Sequence, residues 1–172
     1  KTRNDDLLIC IFTGGCSSLM TYPYEHIGLN DKQQITKILL NSGAEIFEIN
    51  TIRKHISMVK GGNLASLAYP AKILTLAISD VPGDDPSVIA SGPTYPDDTY
   101  SYEARDIIEK YGIECSKNIL SLLDSKSEEN PKSNDKIFSN TSYKIIYVFL
   151  MYSCAFAQEP FLEIRPYIAP SY

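Results

Sequence analysis

Two unbroken apolar runs dominate the hydrophobic pattern, and each is followed directly by a loop rich in glycine and hydroxyl side chains. The first run covers residues 7–12 and leads into residues 13–18; the second covers residues 71–78 and leads into residues 79–94. Short continuous apolar runs predict strands that are covered on both faces, as in a parallel sheet. A third strand is predicted over residues 144–151.

The segments between and after these strands carry apolar residues at helical spacing. A helix is predicted over residues 30–42, where we expect packing and no chemistry. Residues 44–49 predict a short strand, and residues 52–60 predict a helix with one apolar and one basic face. Further predictions are a helix ending at Ala68, helices over residues 101–111 and 116–124, and a mobile surface loop over residues 125–136.

Strands that alternate with helices in this way predict an α/β fold. We expect an open, mostly parallel sheet with helices on both faces, in a Rossmann-like three-layer arrangement. Parallel strands end at the same edge of a sheet, so the loops of residues 13–18 and 79–94 should lie close together. Open α/β sheets bind their ligands at this edge. The pattern therefore predicts one ligand site that both loops share.

The second loop, residues 79–94, is dense in side chains that can do chemistry. It contains Asp80, Asp84 and Asp85 and ends in the Ser-Gly-Pro-Thr sequence of residues 91–94. Carboxylates in such a loop can bind a hard cation or accept a proton. Asp and Gly also favour turns for purely local reasons, and this alternative explains the composition without any ligand.

The first loop carries Gly14, Gly15, Ser17 and Ser18 directly after the predicted first strand. Paired glycines allow a sharp turn that brings backbone N–H groups close to an anion, and the two hydroxyls can add donors. The loop is neither a Walker loop, since no Gly-Lys-Ser/Thr follows, nor a GxGxxG fingerprint. Its position after a strand favours phosphate binding.

A basic stripe on the helix predicted over residues 52–60 supplies candidate cations. Arg53 and Lys60 lie on one face, and Gly61 and Gly62 follow immediately. This arrangement is consistent with an anion clamp, with the guanidinium as a fork and the ammonium as a point charge. The alternative is a solvated helix face, which needs no ligand.

Composition narrows the class of protein. The 172 residues suffice for one domain, and the formal net charge of −5 argues against nucleic acid as the main partner. The four cysteines form no CxxC pair, which disfavours zinc and a disulfide framework and favours a reducing compartment. No signal peptide is visible, and the apolar stretch of residues 145–157 is too short to span a bilayer. We therefore expect a cytoplasmic protein.

Three motifs together resemble one family, the ATP-dependent glycerate kinases in which a Rossmann-like N-terminal domain precedes a smaller MOFRL domain. Their order and spacing match that family along roughly residues 5–146. The motifs are Thr13-Gly14-Gly15-Cys16-Ser17-Ser18-Leu19, then Asn50-Thr51-Ile52-Arg53-Lys54-His55 with Lys60-Gly61-Gly62, then Ser79-Asp80-Val81-Pro82-Gly83-Asp84 through Ile89-Ala90-Ser91-Gly92-Pro93-Thr94.

The resemblance implies phosphoryl transfer from ATP to D-glycerate, giving 2-phosphoglycerate, with Mg²⁺ required. The partners would be these small molecules, with no nucleic acid and no membrane, and a homodimer is left open. One of the two carboxylates of the acidic loop could bind Mg²⁺ and the other accept the substrate's hydroxyl proton. The implied sites are catalytic Arg53, Lys60 and Asp80; Gly14, Gly15, Ser17 and Ser18 for the nucleotide; Arg53, Lys54, Gly61, Gly62, Ser91, Gly92 and Thr94 for the substrate; and Asp80 and Asp84 for the metal.

Departures from the family leave a second function open. The first loop has Thr13, Cys16 and Ser18 where the family usually has Ser, Gly and Ala. The family's upstream segment, with a lysine linked to catalysis, is not in the chain. We expect residues 1–146 to be an incomplete kinase N-terminal domain and residues 147–172 a divergent tail with no MOFRL domain. The alternatives are a non-catalytic fragment that binds an anion or nucleotide, and an inactive truncated product of such a kinase.

Overall fold

The described part of the chain forms a small sheet with a helical layer. The computed structural model describes residues 1–13, 15–79, 81–125, 129–148 and 162–166, the backbone alone for residues 147–148 and 162–166. Gly14 and Asp80 therefore lie outside the described residues. The elements are β1 (Leu7–Phe12), α1 (Cys16–Leu19), α2 (Leu29–Asn41), α3 (Ile46–His55), α4 (Asn63–Ala68), β2 (Lys72–Ile78), α5 (Ser101–Lys110), α6 (Lys117–Asp124), β3 (Thr141–Val148) and β4 (Leu162–Pro166).

The four described strands form one sheet in the order β1-β2-β3-β4. β1 pairs in parallel with β2, from Leu7 opposite Lys72 to Phe12 opposite Ala77. β3 is also parallel to β2, whereas β4 runs antiparallel to β3. The predicted fold class, an open and mostly parallel α/β sheet, is confirmed. The hydrophobic pattern missed β4, because its five residues (LEIRP) show no period.

Only one face of β1 is covered by the described residues. Cys10 and Phe12 pack with Ala65 and Ala68 of α4 in a sheet-side core. The opposite face carries the side chains of alternate positions, and Leu7, Ile9 and Ile11 are 59%, 53% and 66% exposed. The expectation that β1 is covered on both faces is wrong for this part of the chain. An apolar run identifies a strand, but it does not say what covers it.

A second core lies among the helices and holds α2, α3, α5 and α6 together. Its residues recur at the spacing of one helical face, which is why these segments are amphipathic. The buried members are Ile27, Ile35, Leu39, Ile49, Ile52, Ile56, Ala104, Ile107, Ile108, Ile113, Ile119 and Leu123. None of the described helices is both long enough and apolar enough to cross a bilayer.

The prediction was wrong at α3. Residues 44–49 do not form a strand, because α3 begins at Ile46 with Glu45 as its N-cap. The Glu48 carboxylate accepts a hydrogen bond from the backbone N–H of Glu45 at 3.0 Å and stabilises this helix start. The helix also ends at His55, so residues 56–60 follow as an irregular turn. Arg53 and Lys60 therefore do not share a helix face.

A buried polar cluster around Asp97 connects the helical core to the segment after α6. Asp97 is fully buried, and Lys54 Nζ lies 3.2 Å from its Oδ1. Asn130 Nδ2 donates to Asp97 Oδ2 at 2.7 Å, and the Pro131 carbonyl accepts from the Asp97 N–H at 3.0 Å. Burial raises the pKa of Asp97, but Lys54 and Asn130 outweigh it and hold the pKa below its ordinary value. The predicted mobile loop over residues 125–136 is thus wrong at residues 129–132, which are anchored by this cluster.

Replacing Asp97 by alanine should lower the free energy of unfolding by about 3–5 kcal/mol, because the buried ammonium of Lys54 would lose its partner. Asp98→Ala is the matched control, since the side chain of Asp98 is exposed. We expect it to change the free energy of unfolding by less than about 0.5 kcal/mol. Denaturant titration of both variants measures the difference. Equal stabilities of the two would contradict the structural role of Asp97.

Candidate functional site

The backbone of Lys60, Gly61 and Gly62 lies against the loop that follows β2. The Gly61 N–H donates to the Ser91 carbonyl at 2.9 Å, and the Gly62 N–H donates to the Gly92 carbonyl at 2.7 Å. The side chain of Lys60 continues this contact, with Nζ donating to the Ala90 carbonyl at 3.3 Å. These bonds hold the lysine-glycine-glycine segment and the loop of residues 90–92 together as one unit.

The close approach of the two segments explains the glycines. Gly61 has φ +55° and Gly62 has φ +80°. A Cβ at Gly61 would lie 2.7 Å from Asn130 Nδ2, and one at Gly62 would lie 3.0 Å from Phe138 Cζ. Both positions therefore require glycine, and their N–H groups are already donated to carbonyls. The structure thus uses the N–H groups of both glycines to build the site, and their predicted contact with the substrate remains a prediction.

The opposing loop is left-handed at three consecutive residues. Ala90, Ser91 and Gly92 have φ values of +55°, +63° and +59°. Such a conformation costs energy for residues with a Cβ, and strain of this kind is concentrated at functional sites. The turn directs the Ala90 carbonyl toward Lys60 and the buried hydroxyl of Ser91 toward α1.

The first glycine loop meets the same unit through Ser17. The Ser17 carbonyl accepts from Arg53 Nη2 and from Lys60 Nζ, each at 2.8 Å. The Ser17 and Ser91 hydroxyl oxygens lie 2.8 Å apart, at hydrogen-bonding distance. Residues from all three motifs, 13–19, 50–62 and 79–94, are thus in direct contact at this edge.

An open cavity of about 500 Å³ lies beside these contacts. It is formed between α1, α2 and the cations of the second motif, and four of its side chains are basic. Its lining residues are Ser17, Ser18, Leu19, Thr21, Leu29, Lys32, Gln33, Thr36, Lys37, Leu40, Asn41, Arg53 and Lys60. No Asp or Glu belongs to this lining, so the described wall is positively charged.

Lys32 is a member of this cavity that the sequence analysis missed. It lies on α2, three residues before Ile35 and seven before Leu39, a spacing that places it on the buried side of the helix. Its residue is 6% exposed, and its Nζ has no hydrogen-bond partner among the described residues. The sequence signal for Lys32 was a lysine at the spacing of the apolar face of α2. Besides packing in the helical core, α2 therefore also forms one wall of the cavity.

Burial and mutual repulsion change the protonation of these amines. Burial, and next the charge of Arg53, lower the pKa of Lys32 to about 8. Burial, then Arg53 and Lys32, lower the pKa of Lys60 to about 7. Desolvation disfavours the charged form, and neighbouring cations add to that effect. Keeping both amines protonated therefore costs free energy in the absence of an anion.

Several predicted site residues lie away from the cavity. Lys54 is directed to Asp97, as described above, although it is adjacent to Arg53 in sequence. The Thr94 hydroxyl is fully buried, and its oxygen lies 2.6 Å from the Thr75 hydroxyl of β2. Gly92 contributes its carbonyl to the contact with Gly62, and a Cβ there would lie 3.0 Å from the Ser87 carbonyl oxygen. Their predicted roles in substrate binding remain predictions.

The remaining predictions concern the nucleotide and the metal. Gly15 is exposed with φ +81°, and the Ser18 hydroxyl donates to its carbonyl at 2.8 Å. Asp84 also has positive φ, at +54°. Within the described ranges no three His, Cys, Asp or Glu side chains are grouped to hold a metal ion. Gly14 and Asp80 lie outside those ranges, so their predicted roles remain predictions.

Comparison with known proteins places these features in a family. Residues 1–124 match the family model described as Domain of unknown function (DUF4147). A D-glycerate 2-kinase of Thermotoga maritima is 46% identical over 132 residues, which are 77% of this chain and 31% of that protein. A protein of Agrobacterium vitis with a provisional hydroxypyruvate reductase name is 49% identical over 131 residues, covering 76% of this chain and 30% of that protein. The chain thus spans about a third of the length of these relatives.

A solved structure shares the fold. The crystal structure of a glycerate kinase from Thermotoga maritima matches with a TM-score of 0.78 and 41% identity. The match covers 84% of this chain and 33% of that one. The resemblance predicted from the three motifs is thereby confirmed: the chain belongs to the DUF4147 family, that of the glycerate kinase N-terminal domain.

Proposed function

We propose that this chain is the acid- and phosphate-binding part of a glycerate kinase, which transfers a phosphoryl group from ATP to D-glycerate and gives 2-phosphoglycerate. The observation that carries the proposal is the convergence of Arg53 and Lys60 on the Ser17 carbonyl, beside an open cavity whose described lining contains no carboxylate. A cationic pocket of this kind suits a substrate that is itself an acid and becomes a phosphate ester.

Phosphoryl transfer requires the protein to align the two reactants and to stabilise the negative charge of the phosphoryl group. The oxygen of the 2-hydroxyl of glycerate forms a bond to the γ-phosphorus of ATP, and the bond between that phosphorus and the β,γ-bridging oxygen breaks. ADP leaves, and the hydroxyl proton moves to a base. Catalysis of such a step is mainly alignment and electrostatic stabilisation. In our proposal Arg53 and Lys60 hold the glycerate carboxylate or the migrating phosphoryl group, and the loop of Gly14, Gly15, Ser17 and Ser18 holds the nucleotide's phosphates.

The rigid contacts behind the cavity support this assignment. Lys60 is 1% exposed, and its two carbonyl partners keep its ammonium at a fixed position. Without a ligand the pKa of Lys60 is about 7, and an adjacent anion favours the charged form; the resulting fixed cation stabilises developing charge without reorganising at the moment of reaction. Ser91 adds a buried hydroxyl next to Ser17, and we propose that it orients the first loop and not the substrate directly.

The acidic loop is proposed to complete the site. Asp80 and Asp84 follow β2, and we keep them as the oxygen ligands of Mg²⁺, or one of them as the acceptor of the hydroxyl proton. When bound there, Mg²⁺ would supply positive charge that neutralises part of the phosphates' negative charge. The described residues offer no cluster of three such donors for it.

The reaction class is tested by ADP release. We expect the protein that contains this chain to release ADP when it is given ATP, Mg²⁺ and D-glycerate, and not when D-glycerate is left out. A parallel assay with NADH and hydroxypyruvate tests the chemistry that the Agrobacterium vitis name suggests. ADP release that does not depend on D-glycerate, or turnover of NADH in its place, would overturn the kinase proposal. Binding of ATP without turnover would favour the non-catalytic fragment.

The site assignment is tested by removing single charges. Lys60→Met and Arg53→Gln should each lower kcat/KM for D-glycerate by at least about 100-fold, because each removes a preorganised cation. Asp80→Asn should also lower it. Lys117→Met on α6 is the control, since it removes the same charge at an exposed position outside the cavity. Rates of Lys60→Met and Arg53→Gln equal to that of Lys117→Met would refute the assignment.

A further inference from the structure

The buried amine of Lys32 is unusual because nothing in the described structure compensates it. Its Nζ lacks a hydrogen-bond partner among the described residues, although Lys32 is only 6% exposed. Lysine ammonium groups are almost never fully buried unless they are paired. Leaving a buried donor unsatisfied costs free energy, and more so when the group is charged.

The groups around Lys32 increase this cost. Arg53 and Lys60 line the same cavity, and Lys37 of α2 stands at its exposed side. None of the four basic side chains forms an ion pair with a carboxylate of the described residues. Burial first, then the charge of Arg53, and for Lys60 also that of Lys32, lower the pKa of Lys32 and Lys60. An arrangement of this kind is stabilised when an anion enters.

We propose that Lys32, Arg53 and Lys60 form a binding site for a dianionic phosphoryl group, in which the unpartnered ammonium of Lys32 is a direct ligand. Three buried or half-buried cations are poorly matched by one carboxylate, which carries a single negative charge. A phosphate monoester brings a charge of about −1.5 to −2 and three acceptor oxygens. It can therefore accept from all three side chains at once.

The proposal deepens the function proposed above, because it separates the two anions that Arg53 and Lys60 could hold. It assigns the phosphoryl group, and not the glycerate carboxylate, to the cavity between α1 and α2. The identity of this group as the transferred phosphate rests on the kinase proposal. The existence of the dianion site rests only on the geometry of the cavity.

The experiment is a calorimetric titration of the chain with inorganic phosphate at pH 7.5 and low ionic strength. Wild type should bind phosphate, and Lys32→Met should weaken that affinity by at least about tenfold, since a charge-assisted hydrogen bond is lost. Lys117→Met should bind within about twofold of wild type. Acetate should bind at least about tenfold more weakly than phosphate.

Contrary results separate the two proposals. No phosphate binding by wild type, unchanged affinity in Lys32→Met, or equal affinity for acetate and phosphate would each overturn the dianion site. Lys32-dependent phosphate binding without glycerate-dependent ADP release would overturn only the kinase proposal. Glycerate-dependent ADP release, combined with a phosphate affinity that Lys32→Met leaves unchanged, would overturn only the dianion site.

A second measurement guards against a variant that fails to fold. Lys32→Met should raise the thermal unfolding midpoint of the phosphate-free chain at pH 7 by at least about 2 °C, because it removes an uncompensated buried charge. The pKa of Lys32 is about 8 in the folded chain, against an ordinary value of 10.5. Between these two pH values the unfolded chain therefore binds more protons than the folded chain. The wild type therefore gains stability as pH rises through that window, and its difference from Lys32→Met should shrink.

This pH dependence has to be read as a difference between the two proteins. Lys60 and Arg53 face Lys32, Lys37 lies on the same helix, and Cys16 lies near Lys60. Lys60 titrates over a similar range, but it is present in both proteins. A Lys32→Met chain that is less stable than wild type at pH 7 would show that the amine has a structural partner, and would overturn the proposal.

Discussion

The contact between residues 60–62 and residues 90–92 is the constraint on which the rest of the site depends. Two backbone hydrogen bonds and the side chain of Lys60 join these segments, which are about 30 residues apart. The contact needs glycine at Gly61 and Gly62, and it needs a left-handed turn at Ala90 and Ser91. Once it has formed, the Lys60 ammonium can reach the Ser17 carbonyl on the first loop. The three motifs are thereby joined through one side chain.

The same construction concentrates positive charge. Burying Lys60 and Lys32 beside Arg53 lowers the pKa of both amines, so the protein without a ligand carries a local destabilisation. The Asp97 cluster shows the opposite solution, in which the buried Lys54 has a carboxylate partner. Adjacent residues of α3 thus have different tasks: Lys54 stabilises the fold, while Arg53 faces the cavity. Unpaired cations at the cavity and a paired charge at Asp97 are the pattern expected of a binding site and of the structural cluster behind it.

Sequence patterns predicted the parts of this protein that depend on local order. The bounds of β1 were predicted correctly. The predicted α5 ends one residue too late and the predicted α6 starts one residue too early. The convergence of the loops follows from parallel pairing. The start of α3 was missed because the capping by Glu48 outweighed the apolar pattern. Successive helix positions differ by about 100° in direction, so a motif alone could not separate Arg53 from Lys54. Lys32 was overlooked because a single lysine among the apolar positions of α2 was interpreted as part of a packing helix.

We expect an anion to complete the cluster of cations that the three motifs hold together. A crystal structure of the chain with inorganic phosphate tests this claim most directly. We predict phosphate oxygens within about 2.7–3.2 Å of Lys32 Nζ, Lys60 Nζ and the Arg53 guanidinium, with Lys60 still bound to the Ser17 carbonyl. Phosphate bound elsewhere, or a Lys60 ammonium that does not contact the first loop, would contradict it.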